Sequence, residues 1–271
     1  MPTASTVVAV IVIVVVLIAV GVIPLPAGAV TKVPTYATAQ GPANSAASGV
    51  RGGPWGDVLA GGLALTAGTS VAVEELEAAY ASIGCNVSYP AGSPSSIYLP
   101  PTDANATAGG AAAWIFEYTN ASGLLLVAVL NGSATPLFAA HGGYCSLVAL
   151  EPPLAHYGSL VDSSVAVRAV DAVGGAQFLE NHTQTQRIWY LSGDPATNQA
   201  TWAVTYTTCA VTSTGSTTGY FFNATVDAST GDVITHSSTN SSCSVSGIVP
   251  ESAPPSPSMV ASSRGLVVRS A

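Results

Sequence analysis

TWAVTYTTCAVTSTGSTTGYFFNATVDASTGDVITH (Thr201–His236) decides how the chain folds. Its first run, Thr201–Val211, and its second, Tyr220–Val226, are rich in β-branched and aromatic residues and flank a Ser/Thr/Gly loop, which predicts a hairpin. Residues two apart on a strand share a face, so one of Phe221 and Phe222 must point away from the core. The second strand closes on Asp227-Ala-Ser-Thr-Gly231. An acidic residue beside Ser, Thr and Gly can be a catalytic loop. Aspartic peptidases, however, need two D-[ST]-G loops whose carboxylates share one proton. DASTG has neither Ser nor Thr directly between Asp and Gly, and no second loop partners it. A turn explains it better: the Asp side chain caps its own backbone and Gly231 supplies a positive φ.

Working outward, AAWIFEYT (112–119), an Asn-Ala-Ser-Gly turn and LLLVAVLNG (124–132) form a second such hairpin. Trp114-x-x-x-Tyr118 matches Trp202-x-x-x-Tyr206. Each hairpin follows a helical pattern and a short strand. Val73, Leu76, Tyr80 and Ile83 recur at helical intervals opposite Glu74, Glu75 and Glu77, Gly84 stops the helix, and SIYLP (96–100) follows. In VDSSVAVRAVDAVGG, Asp162 is the N-cap, Val165, Ala169, Ala172 and Val173 share one face, and RIWYLSGDP follows. This recurrence predicts an α+β fold of two similar units, each a helix packed on a small antiparallel sheet, over 69–149 and 150–249. The linker LEPPLAHYGS (150–159) joins them. Residues 30–68, rich in Gly, Ala, Pro and Thr, read as a flexible stalk in which Val58–Leu65 can pack on the domain, and 250–271 as a Pro/Ser-rich tail.

A helix followed by strands and ending in W-x-V-x-Y … V-D-A-x-T-G-x-V resembles the PepSY family. The residues that carry the resemblance are Trp202, Val204, Tyr206, Val226, Asp227, Ala228, Thr230, Gly231 and Val233, all in the second half. The first half follows only the order of elements and the Trp/Tyr spacing. The resemblance implies a helix across a small antiparallel sheet, and a binding or inhibitory module without catalytic residues of its own.

Topology comes from other signals. Val7–Ile23 is an uncharged apolar run just long enough to span a bilayer. It reads either as a signal peptide cut after Ala29 or as a retained signal anchor. The absence of Lys and Arg from MPTAST favours the anchor, which makes 1–29 a transmembrane segment and the remainder extracytoplasmic. Seven Asn-x-Ser/Thr triplets begin at Asn86, Asn105, Asn120, Asn131, Asn181, Asn223 and Asn240 and suit an exported glycoprotein. Cys85, Cys145, Cys209 and Cys243 have no C-x-x-C spacing, so outside the cell they form two disulfides. Three pairings are possible, and the two halves favour Cys85–Cys145 with Cys209–Cys243.

Composition and missing motifs narrow the function. Hydrophobic residues are 48% of the 271, but charged ones only 7%, and six Lys+Arg against fourteen Asp+Glu give −8. No basic cluster could hold nucleic acid phosphates. A surface of Ser, Thr, Asn and Gly suits an acidic exterior, or reflects compositional drift. No G-x-S-x-G elbow, no zinc or calcium motif and no nucleotide-binding context for Gly61-Gly62 or Gly142-Gly143 occurs. His141, His156, His182 and His236 fall in loop-like stretches. The expectation is therefore a membrane-anchored, non-enzymatic binding or inhibitory module acting on another exported protein, with neither metal nor cofactor. The alternatives are a structural subunit of the cell envelope and a secreted hydrolase with dispersed catalytic residues.

Overall fold

A computed structural model describes residues 34–50, 55, 57–65, 69–94, 96–99, 109–111, 113–121, 123–130, 132–182, 185–211 and 217–243. In chain order the elements begin with α1 (Tyr36–Ser48), β1 (Asp57–Leu65), β2 (Thr69–Ala72), α2 (Val73–Ser82), β3 (Asn86–Ser88) and β4 (Ser96–Leu99). Next come β5 (Ala113–Asn120), β6 (Gly123–Leu130), β7 (Ser133–His141), α3 (Gly143–Val148) and a 3₁₀ turn at Leu154–Tyr157. The chain continues with α4 (Ser163–Val170), a π turn at Asp171–Gly175 and α5 (Ala176–Asn181). It finishes with β8 (Gln186–Asp194), β9 (Gln199–Val211), β10 (Thr217–Asp227) and β11 (Val233–Ser242).

Nine of these strands form one antiparallel sheet in the order β11-β10-β9-β8-β1-β5-β6-β7-β3, while β2 and β4 pair separately. This corrects the expectation of two helix-on-sheet units. The seam between the halves is a hydrogen-bonded strand pair: β1 pairs with β8 from Ala60↔Ser192 to Leu65↔Arg187 on one side and with β5 on the other. One core runs across that seam. The Tyr36 ring lies 5.6 Å from Trp114, 5.2 Å from Phe116 and 5.2 Å from Trp202. Separate units would each have exposed a long apolar edge strand, and pairing the two edges removes that liability.

The stalk also needs correction, because residues 36–48 are helical and 57–65 are the middle strand of the sheet. Tyr36, Ala39, Ala43 and Ala47 recur at helical spacing and are buried. Alanines let α1 lie close on the sheet but give only a faint hydrophobic period, and Pro42 looks like a breaker. The N-terminus of α1 is satisfied from far along the chain. The Tyr36 N–H donates to Ser163 Oγ at 3.0 Å and the Ala37 N–H to Asp162 Oδ1 at 2.9 Å. Asp162 does occupy the N-cap position of α4, yet its carboxylate caps α1 instead.

The repeated Trp-x-x-x-Tyr spacing has a mechanical role within this single sheet. Trp114 Nε1–H donates to the Pro34 carbonyl at 2.9 Å and Trp202 Nε1–H to the Val161 carbonyl at 3.1 Å, in each case just before a helix. Further along the same strand faces, the Tyr118 hydroxyl bonds Asn44 Oδ1 at 2.8 Å and the Tyr206 hydroxyl bonds Asp171 Oδ1 at 3.0 Å. Four residues of strand span about 13 Å, roughly the length of a short helix. Each pair therefore pins the start of the helix above it and a point further along, Asn44 within α1 and Asp171 at the end of α4.

The helices α1, α4 and α5 cover one face of the sheet. On the other face, α2 and α3 lie over β5–β7, whereas the 3₁₀ turn packs against β1, β8 and β9 beside α1. Coverage on both sides explains why β6 is buried along nearly its whole length. Gly61 and Gly62, at the middle of β1, make room for rings on opposite faces. A Cβ on Gly61 would lie 2.7 Å from Tyr36 Cε2, and one on Gly62 would lie 2.6 Å from Tyr190 Cδ2. Beyond α3 the face turns polar: Thr205, Asn223 and Ser237 lie in register across β9–β11, as do Ala203, Thr225 and Thr235.

Cys85 pairs with Cys145 and Cys209 with Cys243. This is the pairing the sequence favours, although the two halves that suggested it share one sheet. No helix among the described residues is long and apolar enough to cross a membrane. The apolar run Val7–Ile23 and the tail 250–271 lie outside the described residues.

Candidate functional site

A cavity of about 40 Å³ opens on the face covered by α2 and α3. Its floor is sheet: Ala60 of β1, Glu117 of β5, Leu124 of β6 and Tyr190 of β8. Its roof is Tyr80 of α2 and Ile83 just beyond it, with Tyr144 and Val148 from α3. The Cys85–Cys145 disulfide joins the chain three residues beyond α2 to α3 and so ties the two parts of the roof together. Glu151, Ser192 and Gly193 complete the rim.

Strand alternation puts Glu117 here. Trp114, Phe116 and Tyr118 face α1 and are fully buried, so Glu117 faces the opposite side. That side is also roofed, which leaves Glu117 half-buried between the sheet and its roof. Among the described residues its one hydrogen bond comes from the Tyr80 hydroxyl at 3.0 Å. Burial pushes the carboxyl from its ordinary 4.5 up to about 7, against the Tyr80 hydrogen bond and with a further rise from the charge of Glu151. Glu151 is itself raised by burial and by Asp194. Tyr80 and Tyr190 lie well above the usual phenol range, through burial first and the charge of Glu117 next. Among the described residues no Lys, Arg or His lines the cavity. The arrangement is thus a small, mostly apolar recess holding a carboxyl that lacks a counter-ion.

The residues singled out from sequence lie elsewhere. Asp227 Oδ1 accepts the Ser229 N–H at 2.7 Å, the Ser229 hydroxyl at 2.6 Å and the Thr230 N–H at 3.2 Å, and Gly231 has φ 84°. These bonds, led by the Ser229 hydroxyl, hold the Asp227 carboxyl below the usual carboxylate range. It closes the β10–β11 turn. Phe222 is buried and Phe221 is half-buried on the opposite face. The histidines are dispersed: His141 ends β7 beside Trp55, and His156 stands against Tyr157. His182 lies between Phe178 and Tyr220, and His236 over Phe222. Among the described residues no group of three or more His, Cys, Asp and Glu could hold a metal ion.

Of the glycosylation triplets, Asn86, Asn181 and Asn240 are exposed. Asn120 Oδ1 accepts the Gly123 N–H in the β5–β6 turn, and Asn223 Oδ1 accepts the Thr205 hydroxyl at 2.9 Å. Asn105 and Asn131 lie outside the described residues.

Sequence reasoning passed over Glu117, Glu151, Tyr80, Tyr144 and Tyr190 as a group. One signal was present: Glu117 is a lone acid in the strand AWIFEYTN, in a chain with only fourteen Asp and Glu. Knowing that its face is roofed needs the topology. No protein-family model, curated protein or solved structure matches the chain.

Proposed function

We propose that this protein is a non-enzymatic binding module of the cell exterior, held to the membrane by Val7–Ile23, and that the Glu117 cavity is its recognition site. One observation carries the reading: among the described residues, a carboxyl sits in a mostly apolar recess with a single hydrogen bond and no basic neighbour. Burying such a group costs stability, and a core that keeps it forgoes an apolar residue there. Binding sites accept such costs because a ligand supplies the missing partner. The two disulfides suit the extracytoplasmic setting. The likeness of the Asp227–Gly231 turn to the PepSY pattern favours binding over catalysis.

A hydrolase is the second reading, because a carboxyl held near 7 can act as a general acid or base. It would need a bond-breaking partner, and the second acid at the cavity, Glu151, is the candidate.

Fragment titration followed by NMR tests the binding reading. Small molecules of differing charge are expected to shift signals of Ile83, Leu124 and Val148, and Val148→Trp, which fills the mouth, is expected to abolish the shifts while the protein stays folded. If no fragment of any charge binds at millimolar concentration, the cavity is not a recognition site. Turnover of an ester or glycoside that disappears in both Glu117→Gln and Glu151→Gln would overturn the non-enzymatic reading.

A further inference from the structure

The lining of the Glu117 cavity also specifies the charge and size of its occupant, an inference that rests on reading the cavity as a recognition site. Two carboxyls face the recess, Glu117 from β5 and Glu151 from beyond α3, and Asp194 adds negative charge beside Glu151. Tyr80, Tyr144 and Tyr190 add only hydroxyls. Tyr190 is buried, lines the cavity and makes no hydrogen bond through its hydroxyl among the described residues. With two carboxyls against four hydroxyls, those of the three tyrosines and Ser192, acceptor sites outnumber donors in the recess, and charge complementarity calls for a cation with several N–H groups.

Size selects the cation. About 40 Å³ holds two or three water-sized groups. An ammonium is a compact point charge with three donors, whereas a guanidinium is a planar fork of five that needs a wider, two-sided carboxylate surface. The apolar residues around the acids suit methylene groups leading out of the site.

We propose that the cavity binds a primary ammonium on an unbranched alkyl chain, as in a lysine side chain presented by another exported protein. Glu117 is its counter-ion, Tyr190 an acceptor of one N–H, and Ile83, Leu124 and Val148 the wall along its methylenes. Binding favours the ionised carboxyl, so ligand entry at mildly acidic pH releases the Glu117 proton to solvent and affinity rises as pH increases through about 7. The groups facing Glu117 in this titration are Tyr80 from α2, Tyr144 from α3, Glu151 beyond it and Tyr190 from β8, with Asp194 acting through Glu151.

The test uses the full, disulfide-intact chain and four probes: Nα-acetyl-lysine methylamide, n-butylamine, n-butanol and Nα-acetyl-arginine methylamide. Both ammonium probes are expected to bind at least about tenfold more tightly than n-butanol and the arginine derivative, and Glu117→Gln is expected to remove that preference while n-butanol binding is kept. Tighter binding of the lysine derivative than of n-butylamine supports a protein side chain as the source, and the reverse order overturns it in favour of a free amine. Equal binding of n-butanol and n-butylamine, or an unchanged Glu117→Gln variant, overturns the ammonium and leaves the recognition site standing. Failure of all four probes sinks both.

Discussion

Replacing Glu117 by Gln tests the electrostatics of the cavity directly. The ordinary carboxyl value is 4.5 and the folded value about 7, so over that interval the native chain holds a proton that the unfolded chain has released. The state that binds more protons loses ground as pH rises, so native stability falls across this window. Below 4.5 both states are protonated and the group contributes nothing. Above 7 the full penalty is in place. A tenfold change in proton affinity is worth about 1.4 kcal/mol, so the gap, 7 − 4.5, amounts to about 3 kcal/mol. Gln is neutral throughout and keeps an oxygen for the Tyr80 hydroxyl. Denaturant unfolding of both proteins, with the disulfides intact, is expected to give the same stability near pH 4 and a variant about 3 kcal/mol more stable near pH 8. Glu151 and Asp171, both raised by burial, slope the same way, and Asp227, which is lowered, slopes the other way. All three are common to both proteins and largely drop out of the difference. A variant that is less stable at pH 8, or a difference that does not vary with pH, would refute the reasoning.

Asp162→Ala should cost about 1 kcal/mol by removing the acceptor at the start of α1, visible as loss of amide protection in residues 36–40 by hydrogen exchange. Asp227→Ala should cost a similar amount, about 1 kcal/mol, by thermal unfolding, and leave ligand binding at the Glu117 cavity unchanged, because its three bonds only close a turn. The disulfide Cys85–Cys145 closes a separation of 60 residues, worth about 4 kcal/mol in the chain-entropy account. Replacing both cysteines by Ser should lower stability by an amount of that order and weaken probe binding as well, since the two parts of the roof then come apart. Equal losses of stability and affinity in the corresponding Cys209/Cys243 variant would deny the roof this special role.

Much of the local structure was legible in the sequence. The runs around Trp114, Trp202 and Phe222 carry a clear period of two, and Asp227 to Gly231 is a turn by residue chemistry alone. The helix at Val73–Ser82 announces itself with a charged face. By contrast α1 has Tyr36 and otherwise alanines as its apolar stripe, with Gly41 and Pro42 in the middle, so its propensity is poor. It is helical because the sheet and Asp162 hold it, both supplied by distant sequence. The single sheet was hidden for the same reason. DVLAGGLAL has few β-branched residues and two glycines, and its place between β5 and β8 follows from fitting around Tyr36 and Tyr190. The site was least legible, because Glu117 becomes unusual only once α2 and α3 roof its face.

The central position of β1 has a consequence for the order in which the sheet can form. The first strand of the sheet to be synthesised is flanked by β5 and by β8, where Ala60 meets Ser192. Contacts so distant along the chain slow folding, since the loop must close before the pairing is rewarded. Until β8 is made, residues 57–65 have no neighbour on one side, so the middle of the sheet closes only after about seven-tenths of the chain has been synthesised, and β9–β11 are added later still. If the chain is exported as proposed, a sheet that cannot close early keeps it extended enough to cross.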